Sequence, residues 1–338
     1  MSRYIAVDLA NLPPIDAVVA PDVETIVAEI KVELLGLLAD DPALAAEVAA
    51  VLQLESEPLV KLIEAASYRE LILLQRINEA VRAVMLPTSR GNDLDNLVSR
   101  LDVERMTITP AVGSTPAVME SDADLRYRYQ LAPEAFSTAG PYGAYEFHAR
   151  AAHPLVKDAG VYGPETALVT PGQSLTVILS RVGDGTPTLD ILDAVYAKLS
   201  HEDTVPDTDE VLVRGATITP YAIRYKLQLR PGADAAMIVA QARRRLTAYA
   251  ESDDAYQAAV AAGYTGTLAQ FRDLTPEQGG VTPRRVGGIV ALSALDGAAH
   301  QDRVNVIRAV RLSPAAEVDP GLDGAVYCTS VVVEWEVA

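Results

Sequence analysis

Apolar side chains recur at helical spacing through the first hundred residues of the chain. Three runs with this spacing cover residues 23–38, 42–52 and 58–86. Each run begins beside an aspartate or a proline, residue types that favour the first turn of a helix. The pattern therefore predicts three helices, the last of them the longest, and a fourth short amphipathic helix after the turn at Gly91.

The longest run carries an apolar stripe broad enough to contact neighbours on more than one side. The members of this stripe on a helical wheel are Leu59, Leu62, Ile63, Ala66, Leu73, Leu74, Ile77, Ala80, Val81 and Val84. The far side of the wheel also carries apolar groups, at Tyr68, Leu71 and Ile72. Because the other local helices are few and short, we expect part of this surface to pack against another chain in an intermolecular helical bundle.

Glu70 lies in the middle of the stripe. An unpaired carboxylate among leucines is unfavourable, so Glu70 must meet a cation or become protonated. An arginine of a partner, for example of a second copy, would fix the register of the bundle. Alternatively, Glu70 reaches water at the edge of the stripe or pairs with a local arginine. The residues that we expect to form the interaction surface are Leu59, Leu62, Ile63, Tyr68, Arg69, Glu70, Leu73, Ile77 and Arg82.

From about residue 106 the pattern changes to mixed helices and strands. A Pro- and Gly-containing stretch over residues 107–117 is predicted to be a connector. Helical spacing covers residues 121–130, 142–152, 189–199 and 235–249, and strand-like runs cover residues 175–179, 211–213, 222–229, 304–310 and 326–337. A Pro- and Asp-rich break at residues 202–209 separates two units of similar order.

These elements predict an α+β fold with three domains. The first is a helical assembly domain over residues 1–105, which would form the core bundle. The second is a middle α/β domain over residues 106–205, and the third is a C-terminal α/β domain over residues 206–338.

Composition and charge narrow the classes of partner. The 338 residues exceed one ordinary core, and the balance of 46 acidic against 28 basic residues gives a formal charge of −18. This charge repels phosphate groups, so nucleic acid is not expected as a partner. No apolar stretch could span a membrane and no export signal is recognisable, so we expect a soluble protein. The single cysteine, Cys328, excludes an intramolecular disulfide and a thiolate metal cage.

Patterns that could carry catalysis or bind a metal are weak. His148 and His153 lie five residues apart and do not share a helical face. The sequence Gly183-Asp184-Gly185 lacks the further glycine and the lysine of a phosphate-binding loop. We therefore expect no catalysis, no cofactor and no metal. The alternative hypothesis is a metal-dependent hydrolase of two α/β domains, which would need Asp, Glu or His side chains clustered in one pocket.

One block of sequence, residues 54–95, is long and distinctive. It contains Leu54-Glu55-Ser56-Glu57-Pro58, Tyr68-Arg69-Glu70-Leu71, Gln75-Arg76-Ile77-Asn78-Glu79-Ala80 and Gly91-Asn92-Asp93-Leu94-Asp95. Further blocks are Thr107-Ile108-Thr109-Pro110-Ala111, Pro116-Ala117-Val118-Met119-Glu120 and, more weakly, Leu229-Arg230-Pro231-Gly232. Through these blocks, residues 1 to about 250 resemble the baseplate assembly protein J family of contractile-tailed phages.

The resemblance implies a structural component of the phage tail baseplate wedge. Such a protein forms the ring around the tail tube that links wedges and relays the trigger for sheath contraction. The family implies two copies of the chain in each of six wedges, with the N-terminal helices gathered into a core bundle with a tail protein I-like partner. Its implied neighbours are a lysozyme-like wedge protein, the tail hub or tube and the sheath. The implied location is the virion tail baseplate, after assembly in the host cytoplasm.

The resemblance departs at residues 251–283, which look like an insertion of about 30 residues in a connection that is usually short. Tyr256, Tyr264 and Phe271, together with an alanine-rich run over residues 255–262, predict a folded excursion. We expect the insertion to make an additional contact with a neighbouring protein.

Overall fold

A computed structural model of the chain describes residues 7, 9, 12, 17–137, 140–202, 204, 206, 210–250, 284–300 and 305–338. The predicted insertion at residues 251–283 lies outside the described residues. The chain divides into two compact units, one covering Asp8–Leu97 and the other consisting mainly of Val98–Ala338. We refer to them as the helical unit and the α/β unit.

The helical unit contains the N-terminal helices of the chain. These are α1 (Val23–Leu37), α2 (Pro42–Val51), α3 (Pro58–Ala83) and α4 (Gly91–Val98), of which α4 ends at the boundary of the unit. The side chain of Asp22 accepts the N–H of Thr25 at 2.7 Å, and that of Asp41 accepts the N–H of Leu44 at 3.1 Å. Both bonds satisfy a backbone donor that a helix leaves free in its first turn. The starts of α1 and α2 are therefore set by the sequence immediately before them.

The α/β unit alternates helices and strands along the chain. Its helices are α5 (Asp122–Leu131), α6 (Tyr142–Ala152), α7 (Leu189–Leu199), α8 (Ala235–Ala250) and α9 (Leu292–Ala299). Its strands are β1 (Thr107–Thr109), β2 (Val118–Met119), β3 (Val156–Tyr162), β4 (Gln173–Ser180), β5 (Glu210–Gly215), β6 (Thr217–Leu229), β7 (Val306–Ser313) and β8 (Gly324–Val337). The predicted α+β fold class, with the N-terminal helices first, is confirmed.

The middle sheet has the strand order β3-β4-β5, with β3 antiparallel and β5 parallel to the central strand β4. On one face, Tyr145 of α6 and Val195 of α7 are buried against Ile178 of β4. On the other face, Val177 of β4 is buried with Val286, which follows residues 251–283 in the chain. Because both faces are covered, β4 is buried almost throughout, and its apolar residues Leu175, Val177, Ile178 and Leu179 do not alternate with exposed ones.

The last sheet has the strand order β7-β6-β8, with β7 antiparallel and β8 parallel to β6. Helices α8 and α9 cover one face of it. There, Tyr225 of β6 is buried with Leu246 of α8 and Leu295 of α9, and Leu227 of β6 is buried with Ile238 of α8. The period-2 pattern predicted for β6 corresponds to this single covered face.

A short segment around Val286 and Gly287 joins the two sheets. The carboxylate of Asp158 on β3 accepts the backbone N–H of Val286 at 2.8 Å, and the N–H of Gly287 donates to the carbonyl of Gly324 at 2.7 Å. The segment lies so close to β3 that a Cβ added at Gly160 would be 2.8 Å from Val286 Cγ1. A side chain at position 160 would therefore require Val286 or Tyr162 to move.

The structure differs from the predicted elements at the end of α3 and in the segment predicted as a connector. Helix α3 ends at Ala83 and not near Leu86, because the chain turns before Pro87, and the hydroxyl of Thr88 donates to the carbonyl of Arg82 at 2.6 Å. The stretch predicted as a connector begins with β1 and leads directly into β2, and these two strands pair antiparallel.

Strand β5 also differs from its prediction. The sequence pattern places residues 211–213 in the second of two units, but β5 pairs with β4 in the middle sheet. Strand β3 and helix α9 were not predicted. The sequence of β3 contains Lys157, Asp158 and Gly160, which interrupt the apolar pattern expected of a buried strand.

Candidate protein-interaction surface

Helix α3 packs against its own unit along one face, which we call the inner face. Val60 and Ile63 are buried there with Leu52. Side chains of α1, α2 and α3 that pack against this cluster are Val27, Ile30, Leu34, Leu35, Val48 and Leu59. Ser67 is also buried, and its hydroxyl donates to the carbonyl of Ile63 at 2.9 Å. The inner face is therefore occupied by α1 and α2.

Asn78 extends the inner face towards the end of α3. Its Oδ1 accepts the N–H of Val18 at 3.0 Å, and its Nδ2 donates to the carbonyl of Val18 at 2.7 Å. One side chain thus satisfies both backbone groups of a residue in the segment before α1. Sequence reasoning did not single out Asn78. The available signal was a polar residue about three helical turns after Ser67, on the same face of the helix.

The side of α3 that adjoins the inner face, which we call the outer face, is apolar and exposed. It consists of Leu62, Ala66, Leu73, Ile77, Ala80 and Val84. Leu62 is 67% exposed and Leu73 is 58% exposed. Steps of three, four and seven residues place these side chains on one stripe, about 33 Å long at the rise of an α-helix. A continuous exposed apolar stripe of this length is typical of a surface that contacts another protein.

The predicted interaction residues divide between the two faces. On the outer face lie Leu62, Leu73 and Ile77. Tyr68 is exposed on the flank of the helix. Ile63 is buried in the inner cluster and Leu59 packs against it. The wheel placed Leu59 and Ile63 in one stripe with Leu62 and Leu73, because it could not indicate that α1 and α2 cover one edge of that stripe.

The predicted charged residues of the surface are all exposed. Arg69 and Glu70 lie beside Leu73 near the middle of the helix, and Arg82 lies in its last turn. Within the described ranges, no salt bridge joins Arg69 or Glu70 to another residue. In the isolated chain, Glu70 therefore contacts water, which is one of the alternatives that the sequence left open.

A second apolar region of the helical unit lies along α1. Val32 and Leu37 are strongly exposed there. A shallow depression beside Val32 is lined by Thr25, Ala28, Glu29, Val32 and Glu33. All of these residues belong to one face of a single helix. The depression therefore lacks the convergent walls of a substrate pocket.

The weak candidates for chemistry remain apart in the structure. His148 lies on α6, where burial and then the charge of Lys198 lower its pKa, and its buried Nδ1 has no hydrogen-bond partner among the described residues. His153 follows α6, and its Nδ1 accepts the N–H of Leu155 at 3.1 Å. Among the residues with described positions, no group of three or more His, Cys, Asp or Glu side chains could hold a metal ion. None of the described helices is long and apolar enough to cross a membrane.

Comparison with known proteins matches two family models. Residues 55–112 match the model of the Baseplate J-like N-terminal domain, and residues 137–215 match that of the Baseplate J-like central domain. The first match contains the whole of α3. The second contains α6, α7 and the middle sheet.

A curated relative is similar over most of the chain. Baseplate protein J of Escherichia phage P2 is 46% identical over 247 residues, which are 72% of this chain and 80% of that protein. Among solved structures, the anti-feeding prophage baseplate contains a similar chain, with a TM-score of 0.33 and 12% identity over 64% of this chain. The match spans 43% of that chain.

Proposed function

The chain belongs to the Baseplate J-like family, and we propose that within a phage tail baseplate it forms the ring of wedges around the tail tube. Its general role as a structural protein of the baseplate, in the virion tail, follows from the family and from the P2 relative. The same membership favours a role without catalysis. The ring, its partners and its part in sheath contraction are our proposal.

The observation that carries the proposal is the difference between the two faces of α3. Its inner face is already filled by the chain itself, whereas its outer face presents Leu62, Leu73, Ile77 and Val84 to water. Burial of one such side chain contributes about 1.5–3 kcal/mol. The outer face is therefore suited to pack against helices of other baseplate chains. We propose that a second copy of this chain and a tail protein I-like partner supply these helices.

The charged residues near the centre of α3 are suited to set the register of this bundle. Glu70 lies next to the apolar stripe, so covering the stripe would also remove Glu70 from water. A cation on the facing helix would then be required at that level. Arg69 of a second copy is one such cation, and it would select one alignment of the helices from several with similar apolar contacts.

The remaining parts of the proposal concern the ring and its neighbours. Two copies per wedge and six wedges would form the ring, with a lysozyme-like wedge protein, the tail hub or tube and the sheath beside it. We propose that the ring relays the trigger for contraction by repacking its interfaces. Its assembly would take place in the host cytoplasm.

We also propose that residues 1–105, 106–205 and 206–338 form three separate domains. The pairing of β5 with β4 favours moving the second boundary past Gly215.

The test is the mass of the complex formed with the neighbouring tail proteins, measured by light scattering after size-exclusion chromatography. We expect a defined complex with two copies of this chain and one helical partner. The double variant Leu62→Asp/Leu73→Asp should not form it, while its α/β unit still folds. The control Leu44→Asp/Leu54→Asp changes two exposed leucines of the same unit outside α3 and should assemble normally. Normal assembly of the α3 variant would overturn the proposal.

A further inference from the structure

The two edges of the last sheet differ in how they are protected. Along β7, the register with β6 shifts twice, near Ser313 and near Val306. Such irregularities prevent an edge strand from pairing with another chain. Along β8, residues 330–337 pair with β6 in continuous register, and this stretch contains neither proline nor lysine. The β8 edge therefore lacks the features that protect the β7 edge.

Backbone groups along the β8 edge are directed away from the sheet. Ala338 donates its N–H to the carbonyl of Leu229 at 2.9 Å, on the side of β6. Successive residues of a strand turn their N–H and C=O groups to opposite edges. Val333, Trp335 and Val337 therefore turn theirs to the open edge. In the described part of the chain, no strand pairs with this side of β8.

The side chains of the same residues form an apolar strip that is only partly covered. They lie on the face of the sheet that α8 covers at its centre, where Leu227 and Leu229 of β6 are fully buried. Next to them on β8, Trp335 is 50% exposed and Val337 is 57% exposed. Trp335 is the single tryptophan of the chain. A tryptophan half exposed in an apolar strip is typical of the anchor of a protein interface.

The charges on the other face of β8 restrict what can pair with it. Glu336 is 2.5 Å from the ammonium of Lys226, and Glu334 is 3.5 Å from the guanidinium of Arg224; Arg224 and Glu334 are exposed, and Lys226 and Glu336 are half-buried. Like charges opposite each other on neighbouring strands are destabilising. Pairing of β8 with β8 of a second copy would bring four glutamates onto one face. The edge is therefore better matched to a basic segment of a different protein.

We propose that the open edge of β8 binds an extended segment of another protein, in which apolar residues alternate with lysine or arginine. The segment adds a strand to the last sheet through backbone hydrogen bonds. Its apolar side chains cover Trp335 and Val337, and its basic side chains face Glu334 and Glu336. This interaction goes beyond the helical assembly proposed above, and all of its residues belong to the α/β unit.

The test uses the full chain and a synthetic peptide of about eight residues that alternates lysine and valine. Because Trp335 is the single tryptophan, its fluorescence reports on this edge directly. We expect the peptide to shift the emission to shorter wavelength and to reduce quenching by acrylamide. A peptide that alternates glutamate and valine should have neither effect. The double variant Glu334→Lys/Glu336→Lys should reverse this preference.

A matched pair of variants separates strand addition from general attraction of a cation to an acidic protein. Val333→Pro removes one backbone N–H at the open edge, a position where proline is tolerated. Val333→Ala keeps that N–H. We expect the proline variant to bind the lysine peptide at least about tenfold more weakly than the alanine variant. Equal binding by the two variants, or no change in fluorescence at about 1 mM peptide, would overturn the proposal.

Binding of the peptide at the β8 edge should not depend on the helical assembly through α3. Leu62→Asp/Leu73→Asp should bind the lysine peptide as the unchanged protein does. Conversely, Val333→Pro should still form the complex that depends on α3. If the peptide fails to bind while the α3 complex still forms, the proposal for β8 has failed. If the complex fails to form while the peptide still binds, the proposal for α3 has failed.

Discussion

The helical unit and the α/β unit bury their apolar side chains to very different extents. Within the described residues, the buried hydrophobic side chains of the helical unit are Ile26, Leu52, Val60, Ile63, Leu94 and Leu97. Its exposed large hydrophobic side chains include Val19, Val32, Leu37, Leu62, Tyr68, Ile72, Leu73, Ile77 and Val84. The α/β unit instead contains several clusters of buried residues around its two larger sheets. The α/β unit encloses its own core, whereas the helical unit leaves much of its apolar surface in water.

This difference indicates where each unit obtains its stability. Helices in proteins are stabilised mainly by packing of an apolar face, and the outer face of α3 has no such packing within the described chain. Binding of a partner to the folded form would stabilise the helical unit by mass action. The α/β unit should need no partner. Substitutions in the α/β unit should therefore change the stability of the protein, and substitutions on the outer face of α3 should change its assembly.

The largest loss of stability is expected at a buried ion pair of the α/β unit. Arg150 donates to Glu146 at 3.2 Å and also to Asp158, and all three residues are buried. Its guanidinium lies 4.4 Å from the centre of the Tyr127 ring. Arg150→Ala leaves two buried carboxylates without their cation, so we expect the free energy of unfolding to fall by about 3–5 kcal/mol.

Urea denaturation measures this change, with Arg224→Ala as the control. Arg224 is exposed and lies 3.5 Å from Glu334, so its loss should cost about 0–1 kcal/mol. If both substitutions lowered the free energy of unfolding by a similar amount, Arg150 would not be shielded from water as the structure indicates.

A second comparison uses two leucines, one from each unit. Leu227 is fully buried under α8, and Leu73 is exposed on the outer face of α3. Leu227→Ala creates a cavity and should lower the free energy of unfolding by about 2–5 kcal/mol. Leu73→Ala should change it by less than about 0.5 kcal/mol while weakening assembly with the tail proteins. If Leu73→Ala destabilises the isolated chain as much as Leu227→Ala does, the outer face is already covered.

Much of the fold could be predicted from local sequence, because local signals determine many of its elements. Asp22, Asp41 and Ser121 each accept a backbone N–H in the first turn of the helix that follows. The starts of α1, α2 and α5 were therefore predictable. The covered face of β6 could likewise be predicted from its alternation. These features depend on residues that are neighbours in the chain.

The features that the sequence did not predict depend on distant partners. Asp158 makes β3 look unlike a buried strand, but it is paired with Arg150 and accepts the N–H of Val286. Similarly, Ile63 and Leu73 look equivalent on a helical wheel, and only the position of α1 and α2 separates them. The existence of an apolar surface on α3 could thus be predicted, but not which part of it remains exposed.

A smaller effect is expected at the contact between Asn78 and Val18. Asn78→Ala removes both hydrogen bonds to the backbone of Val18, so it should destabilise the helical unit by about 1–3 kcal/mol. Hydrogen exchange should become faster in α1 and α3 and stay unchanged in β6. The control Gln75→Ala, at an exposed position one turn earlier, should leave exchange unchanged. Equal acceleration in β6 would mean that the two units do not unfold separately.

The smallest effect is expected from the pH dependence of one carboxylate of the α/β unit. Burial alone would raise the pKa of Asp124, but the positive charges of Arg181, Lys157 and Arg150 and a hydrogen bond from Arg181 lower it to about 2. The distance between Arg181 Nη1 and the Asp124 carboxylate is 2.6 Å. The pKa is lower in the folded chain than in the unfolded chain, so the ionised form stabilises the fold. That contribution is complete above the unfolded pKa of about 4 and is lost as the pH falls towards 2.

Asp124→Asn should therefore be less stable than the unchanged protein at about pH 7, and this difference should shrink between about pH 4 and pH 2. The stability difference between Arg181→Gln and the unchanged protein should also shrink between about pH 4 and pH 2, because this substitution removes the main cation that lowers the pKa of Asp124. Thermal unfolding at several pH values measures both. A difference that stays constant down to about pH 2 would mean that the charge of Asp124 does not stabilise the fold. The site lies in the α/β unit, so assembly through α3 should be unaffected at neutral pH, which again separates the stability of one unit from the association of the other.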